Sequence, residues 1–202
     1  MKKLYIKLFL LITLLIGLST VYAAKELKFA ADLSGAQEVT TPPGGVDTNT
    51  TGTIEVEFDR ALTQAQFRLS VRNGTGITQA HFHCASAGVN GPIVAFLFGP
   101  VDPPIDVNDG AAQRVLDNSD IIPPATPENI EACGVPLNNI ASLAFAMREG
   151  KIYANVHSTA FPAGFARGQL LPDDENDDGD GGNGGGNSGG PDHGGEGKMI
   201  LR

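Results

Sequence analysis

An all-β fold, a Greek-key-like β-sandwich of about seven or more short strands with one short helix, is the class this 202-residue sequence predicts. Three observations predict it. Apolar and polar residues alternate with period two in several short runs, as strands half buried in a sheet require. The 26 Gly and 13 Pro punctuate those runs with turns. Apolar residues make up 41% and charged residues only 18%, a balance that excludes a charge-rich disordered chain and a multi-span membrane protein.

Residues 1–23 read as a secretory signal peptide: Lys2, Lys3 and Lys7 precede the apolar run Leu8–Leu18, and Val21 and Ala23 fit the small-residue spacing before a cut. The run is shorter than the roughly 20 apolar residues that cross a bilayer. Residues 24–171 form the β-domain. Leu27, Phe29, Ala31 and Leu33 alternate along the first strand; Ile54, Val56 and Phe58, then Ala65, Phe67, Leu69 and Val71, make a hairpin. Asn73-Gly74-Thr75-Gly76 reads as a turn before a strand at Ile77–His83, and Asn90-Gly91 as a turn before the apolar strand Pro92–Phe98. Gly99–Pro136 carries prolines and acids with little period and reads as a long excursion that interrupts the sheet. Asn138 or Asn139 caps a short helix with Ile140, Leu143, Ala144 and Met147 on one face and Gly150 as its stop. Strands at Lys151–His157 and Phe165–Leu171 follow.

Residues 172–202 form a disordered, acidic Gly/Asp-rich tail. Asp174, Asn176, Asp178, Gly179 and Asp180 open a calcium-loop pattern there, but Gly185 stands where its bidentate Glu belongs. The net charge is −9, and residues 24–171 alone carry −6. Such a surface repels a phosphate backbone, so nucleic acid is not an expected partner. No apolar C-terminal run predicts a transmembrane anchor in the mature chain. The expected location is extracellular or periplasmic. Cys84 and Cys133 are the only cysteines, and on such an oxidising route they are expected to pair as one disulfide across the excursion.

Three stretches in sequence, LKFAADLSGAQEVTTPP, ITQAHFHCASAGVNGPIVAFLFG and GKIYANVHSTAFPAGFARGQL, resemble the CHRD domain, an extracellular module of chordin and of many exported microbial proteins. The likeness spans Leu27–Leu171. It implies an extracellular β-domain, a non-enzymatic binding or matrix module whose partner is an extracellular protein or matrix ligand. One departure stands out: the family's closing Gly-Glu-hydrophobic-Arg-Gly-Gln is here Gly164-Phe165-Ala166-Arg167-Gly168-Gln169, without the acid.

Within these motifs His81 and His83 stand two apart on a predicted strand, so both imidazoles leave one face. With His157 at the end of another strand they can supply three neutral nitrogens to Zn or Cu, with Glu38 or Asp32 completing the shell. The alternative is that the three imidazoles bond to backbone carbonyls and fix loops. Asn155 lies in the same strand as His157. Arg167 reads as a structural ion pair, with Glu38 as partner, or as a backbone-carbonyl clamp, and Gln169 as a bridge between strands. No nucleophile elbow, His-Glu-x-x-His, phosphate loop or Cys-x-x-Cys occurs, so no catalytic residue is assigned.

Overall fold

The computed structural model describes residues 26–173; the predicted signal peptide, and the tail with its partial calcium loop from Asp174 on, lie outside the described residues. Strands β1 (Leu27–Ser34), β2 (Thr51–Phe58), β3 (Gln64–Cys84), β4 (Ile93–Phe98), β5 (Ile105–Asp117), β6 (Ile152–Ser158), β7 (Ala166–Gln169) and β8 (Leu171–Pro172) form one antiparallel sheet. Helices α1 (Pro127–Cys133) and α2 (Ile140–Arg148) lie between β5 and β6.

The sheet closes on itself. β1 pairs β2, β2 pairs β3, β3 pairs β6, β6 pairs β7, and β7 returns to β1 at Ser34 and Arg167. The result is a closed five-stranded barrel, which corrects the expected sandwich. β4 and β5 flank β3, and β8 adds to β1. The physical cause is β3. At Asn73-Gly74-Thr75-Gly76 the chain bends but does not turn back, with Asn73 accepting a φ of 54° and Gly76 one of 64°, and the two expected strands fuse into one of 21 residues. Its first half pairs β2 and β5 and its second half β4 and β6. A strand shared in this way keeps both ribbons in one sheet, where a reversal would have let the second ribbon stack as a separate layer.

Between Ile77 and Gln79 the register of β3 against β6 slips by one residue. Such a bulge exchanges the two faces of a strand. Before it the apolar residues that enter the core are Ala65, Phe67, Leu69, Val71 and Ile77; after it they are Ala80, Phe82 and Cys84. Phe67 and Phe82 therefore meet edge to face, 6.4 Å between ring centres, in one continuous core with Phe29, Val56, Ala154 and Ala166. The same slip turns His81 and His83 to the other face of the sheet.

The expected excursion is corrected as well. It contains β5, 13 residues long, and α1, so the chain has two short helices and not one. Along β5 only Leu116 is fully buried, so the strand carries no period-two signal; its backbone bonds to β3 make it. Helix α2 begins as expected: the Asn139 side chain accepts from the Ser142 backbone N–H, Ser142 returns the contact, and Ile140, Leu143, Ala144 and Met147 are buried. A disulfide joins Cys84, at the end of β3, to Cys133, the last residue of α1, with Cα atoms 5.1 Å apart.

Candidate functional site

Side chains opposite one another in the register share a face. On the outer face of the barrel this sets His83 beside Tyr153 and Gln169, and His81 beside Asn155 and Arg167, with His157 two residues further along β6 and Phe96 opposite His81 on β4. Such a face would ordinarily meet water. Here Glu38, the segment 85–91 and the turn 158–165 cover it, leaving His81, His83 and His157 at 0%, 9% and 5% exposure. Sequence spacing reveals that Tyr153, Asn155 and His157 share a face, but not that β6 lies beside β3, and so it missed Tyr153, Phe96, Gly91 and Pro162 as parts of the site.

The three imidazoles converge: one nitrogen from each lies within 4.8 Å of the others. Neither Glu38 nor Asp32 joins that group, which corrects the expected fourth ligand. His81 meets Phe96 edge to face at 4.5 Å, and His83 stacks flat on Tyr153 at 4.9 Å. Hydrogen bonding fixes the tautomers. His83 Nδ1 lies 3.0 Å from the Gly91 carbonyl and His157 Nδ1 lies 2.9 Å from the Pro162 carbonyl, so both nitrogens donate. His157 Nε2 is then a bare acceptor, and it receives His81 Nδ1 at 3.0 Å. His81 Nε2 and His83 Nε2 are buried with no partner.

Burial, with the neighbouring imidazoles adding to it, pushes His81 down to about 3; burial pushes His83 down to about 4 against the pull of the Gly91 carbonyl, and it lowers His157 too. Glu38 moves the other way: burial raises it to about 7, opposed by the charge of Arg167 and the Asn155 amide. In the unfolded chain histidines bind protons near pH 6.5 and a glutamate near 4.3. As pH falls from about 6.5 to 4.5, the unfolded state gains protons on His81 and His83 that the folded state refuses, while folded Glu38 keeps a proton that the unfolded chain has lost. Two histidines against one carboxyl leave a net loss of about 1.4 kcal/mol of stability per pH unit, and His157 adds to it. Urea unfolding at pH 6.5 and 4.5 should show the midpoint falling with acid; a flat or rising midpoint contradicts this account of the site.

Arg167 is 2% exposed yet forms no ion pair with Glu38, which corrects the expected partnership. Its guanidinium donates to Asn90 Oδ1 at 2.9 Å and to the Val89 carbonyl at 2.8 Å, and lies 3.4 Å above the Tyr153 ring. Glu38 Oε2 instead accepts from the Asn155 amide at 3.3 Å. Gln169 Nε2 donates to the carbonyls of Ala85 and Gly150, tying β7 to two loops. Where the family's acid would stand, Phe165 is buried, and the preceding Gly164, at φ +123°, packs against the Asn155 side chain so closely that any Cβ there would overlap the amide. Gly168 likewise lies against the Asp32 carbonyl of β1, so the small residue lets β7 approach while Arg167 and Gln169 point outward.

No helix among the described residues is long and apolar enough to cross a membrane. The family model of the CHRD domain matches residues 29–170. No curated protein and no solved structure gives a significant match. That match spans the whole barrel, its disulfide and the covered histidine layer, and the chain belongs to the CHRD domain family, a domain of extracellular type.

Proposed function

We propose that this chain is an exported, non-enzymatic binding module, secreted or periplasmic after removal of residues 1–23, whose three-histidine site takes one transition-metal ion, Zn or Cu. The observation that carries the metal reading is the convergence of His81, His83 and His157, one nitrogen from each within 4.8 Å of the others. Carbonyls hold His83 and His157 by Nδ1, the arrangement by which outer-shell acceptors prepare imidazole ligands; the Nε2 lone pair of His83 has no partner, and that of His157 is taken only by the His81 N–H, which a metal would displace. The 3.0 Å between His81 Nδ1 and His157 Nε2 suits two ligands on one ion with bonds of about 2.0–2.1 Å. His81 would bind through Nδ1 after its proton moves to Nε2, which has no other partner. Three imidazoles and no carboxylate suit Zn or Cu rather than Ca or Mg.

The closed cover over the cluster supports the non-catalytic part of the reading. A substrate needs an open coordination position reached from solvent, and the three ligands are almost wholly buried. Untagged protein purified from medium supplemented with Zn and Cu is expected to carry about one equivalent of metal and to melt higher than the chelated protein. Replacing His81 and His157 by Gln should abolish both effects. Less than about a tenth of an equivalent, with no thermal response to either added metal, overturns the reading.

A further inference from the structure

At the end of the barrel where β3 bends, a cleft of about 900 Å³ opens between the segment 48–50, the bend at 73–75, the start of β5 and the turn after β6. Its volume is that of small-molecule sites in general, about 300–1,000 Å³. The chemistry of its walls is narrow. Asn49, Asn73, Thr75, Asp106, Asn108 and Thr159 offer amides, hydroxyls and one carboxylate, all exposed, and no Lys, Arg or His lines it. An anionic ligand would have no cation to meet, and a lipid chain would strand these polar groups.

The framework of the cleft is already bonded internally. Thr50 Oγ1 donates to the Asn73 carbonyl at 2.8 Å, the Gly76 N–H donates to Asp106 Oδ1 at 2.6 Å, and the Thr159 N–H donates to the Gly76 carbonyl at 2.9 Å. Among the described residues, the side chains of Asn49, Thr75 and Asn108 make no hydrogen bond. One large apolar surface faces this polar ring. Phe161 is 37% exposed and lies parallel to the buried Phe165, ring planes 8° apart and centres separated by 6.3 Å. Its turn is pinned by the Ser158 hydroxyl and by the bond of His157 to the Pro162 carbonyl.

We infer that this cleft binds a neutral oligosaccharide, one pyranose ring lying on Phe161 while its hydroxyls bond to Asn108, Thr75 and the free oxygen of Asp106. A sugar ring presents a C–H face and a rim of hydroxyls that donate and accept, and it needs both surfaces met at once. A fixed aromatic plate beside amides, hydroxyls and a single carboxylate meets both. The assignment does not rest on the metal reading, since none of the three histidines lines the cleft.

The test is a titration of the full exported chain, metal-free and metal-loaded, with cellohexaose, chitohexaose, laminarihexaose and mannohexaose, and with hexagalacturonate as the anionic control. Amide chemical shifts and calorimetry are the readouts. At least one neutral hexasaccharide is expected to bind with a dissociation constant below about 1 mM and to shift the amides of 73–75, 106–108 and 158–161, in either metal state. Phe161→Ala should weaken that binding about tenfold or more, and so, independently, should Asn108→Ala, whose exposed side chain supports no fold contact. The inference is overturned if none of the four neutral sugars binds at about 5 mM, if hexagalacturonate binds as well as they do, or if both variants bind like the parent.

Discussion

Replacing Cys84 and Cys133 together by Ala is expected to lower the stability of the domain by about 4 kcal/mol. The bond closes a loop of 49 residues, and in the chain-entropy model a loop of that length costs the unfolded state about 4 kcal/mol of freedom at room temperature. Beyond β4 and the β5 ladder on β3, the segment it encloses buries little apolar surface to hold itself in place. Between the two cysteines lie β4, which packs well, and then a strand with one fully buried residue and a helix of seven residues whose only buried side chain is Cys133 itself. The loss should therefore be uneven. Amides of α1 and the approach to α2 should exchange with solvent far faster in the double variant, while those of β1, β2 and the first half of β3 change less. Urea unfolding with hydrogen exchange measures both. A variant within about 1 kcal/mol of the parent, with uniform exchange, would show that packing alone holds the excursion.

Arg167→Met is expected to cost about 3 kcal/mol, nearly as much, from a single side chain. Removing the guanidinium leaves the Val89 carbonyl and Asn90 Oδ1 without their charge-assisted donors and bares one face of Tyr153. Relief of a buried charge offsets part of that loss. Because Val89 and Asn90 lead directly to Gly91, whose carbonyl holds His83 and whose N–H donates to the Tyr153 hydroxyl, the variant should also loosen His83. The imidazole signals of His83 are expected to shift and broaden while those of His157, anchored at Pro162, stay closer to the parent. Arg167→Lys should recover little, since an ammonium cannot lie flat on the ring and reach two acceptors at once. A Met variant that unfolds within about 1 kcal/mol of the parent would rule out this role.

The contrast between what was legible and what was not follows from the range of each interaction. β1, β2 and the first half of β3 announce themselves because each buries one face, and Ile54, Val56 and Phe58 alternate with Glu55 and Glu57 in plain view. The helix at 140–148 is equally local, fixed by Asn139 and one apolar stripe. β5 is silent because its pattern Ile105–Asp117 meets solvent almost throughout. Closure into a barrel is silent for a different reason: the contact that seals it is a single paired position, Ser34 with Arg167, which no periodicity encodes. In the site, the shared face of His81 and His83 follows from their spacing, whereas the approach of His157 depends on the pairing of β3 with β6, some 75 residues later. Glu38 and Arg167 carry opposite charge and sit near each other, yet hydrogen-bond geometry sends each to a different partner.

The 21-residue strand at the centre of the sheet also sets the timetable by which the chain can acquire its shape. Four other strands pair with it, and the last of them, β6, is made long after its own ribosomal synthesis is over. Until then its second half carries an open ladder edge, and the nucleus cannot be completed from one end of the polypeptide. Domains assembled from such distant pairings fold slowly. Slow acquisition of structure leaves that unpaired edge as the segment most open to mispairing until β6 takes its place.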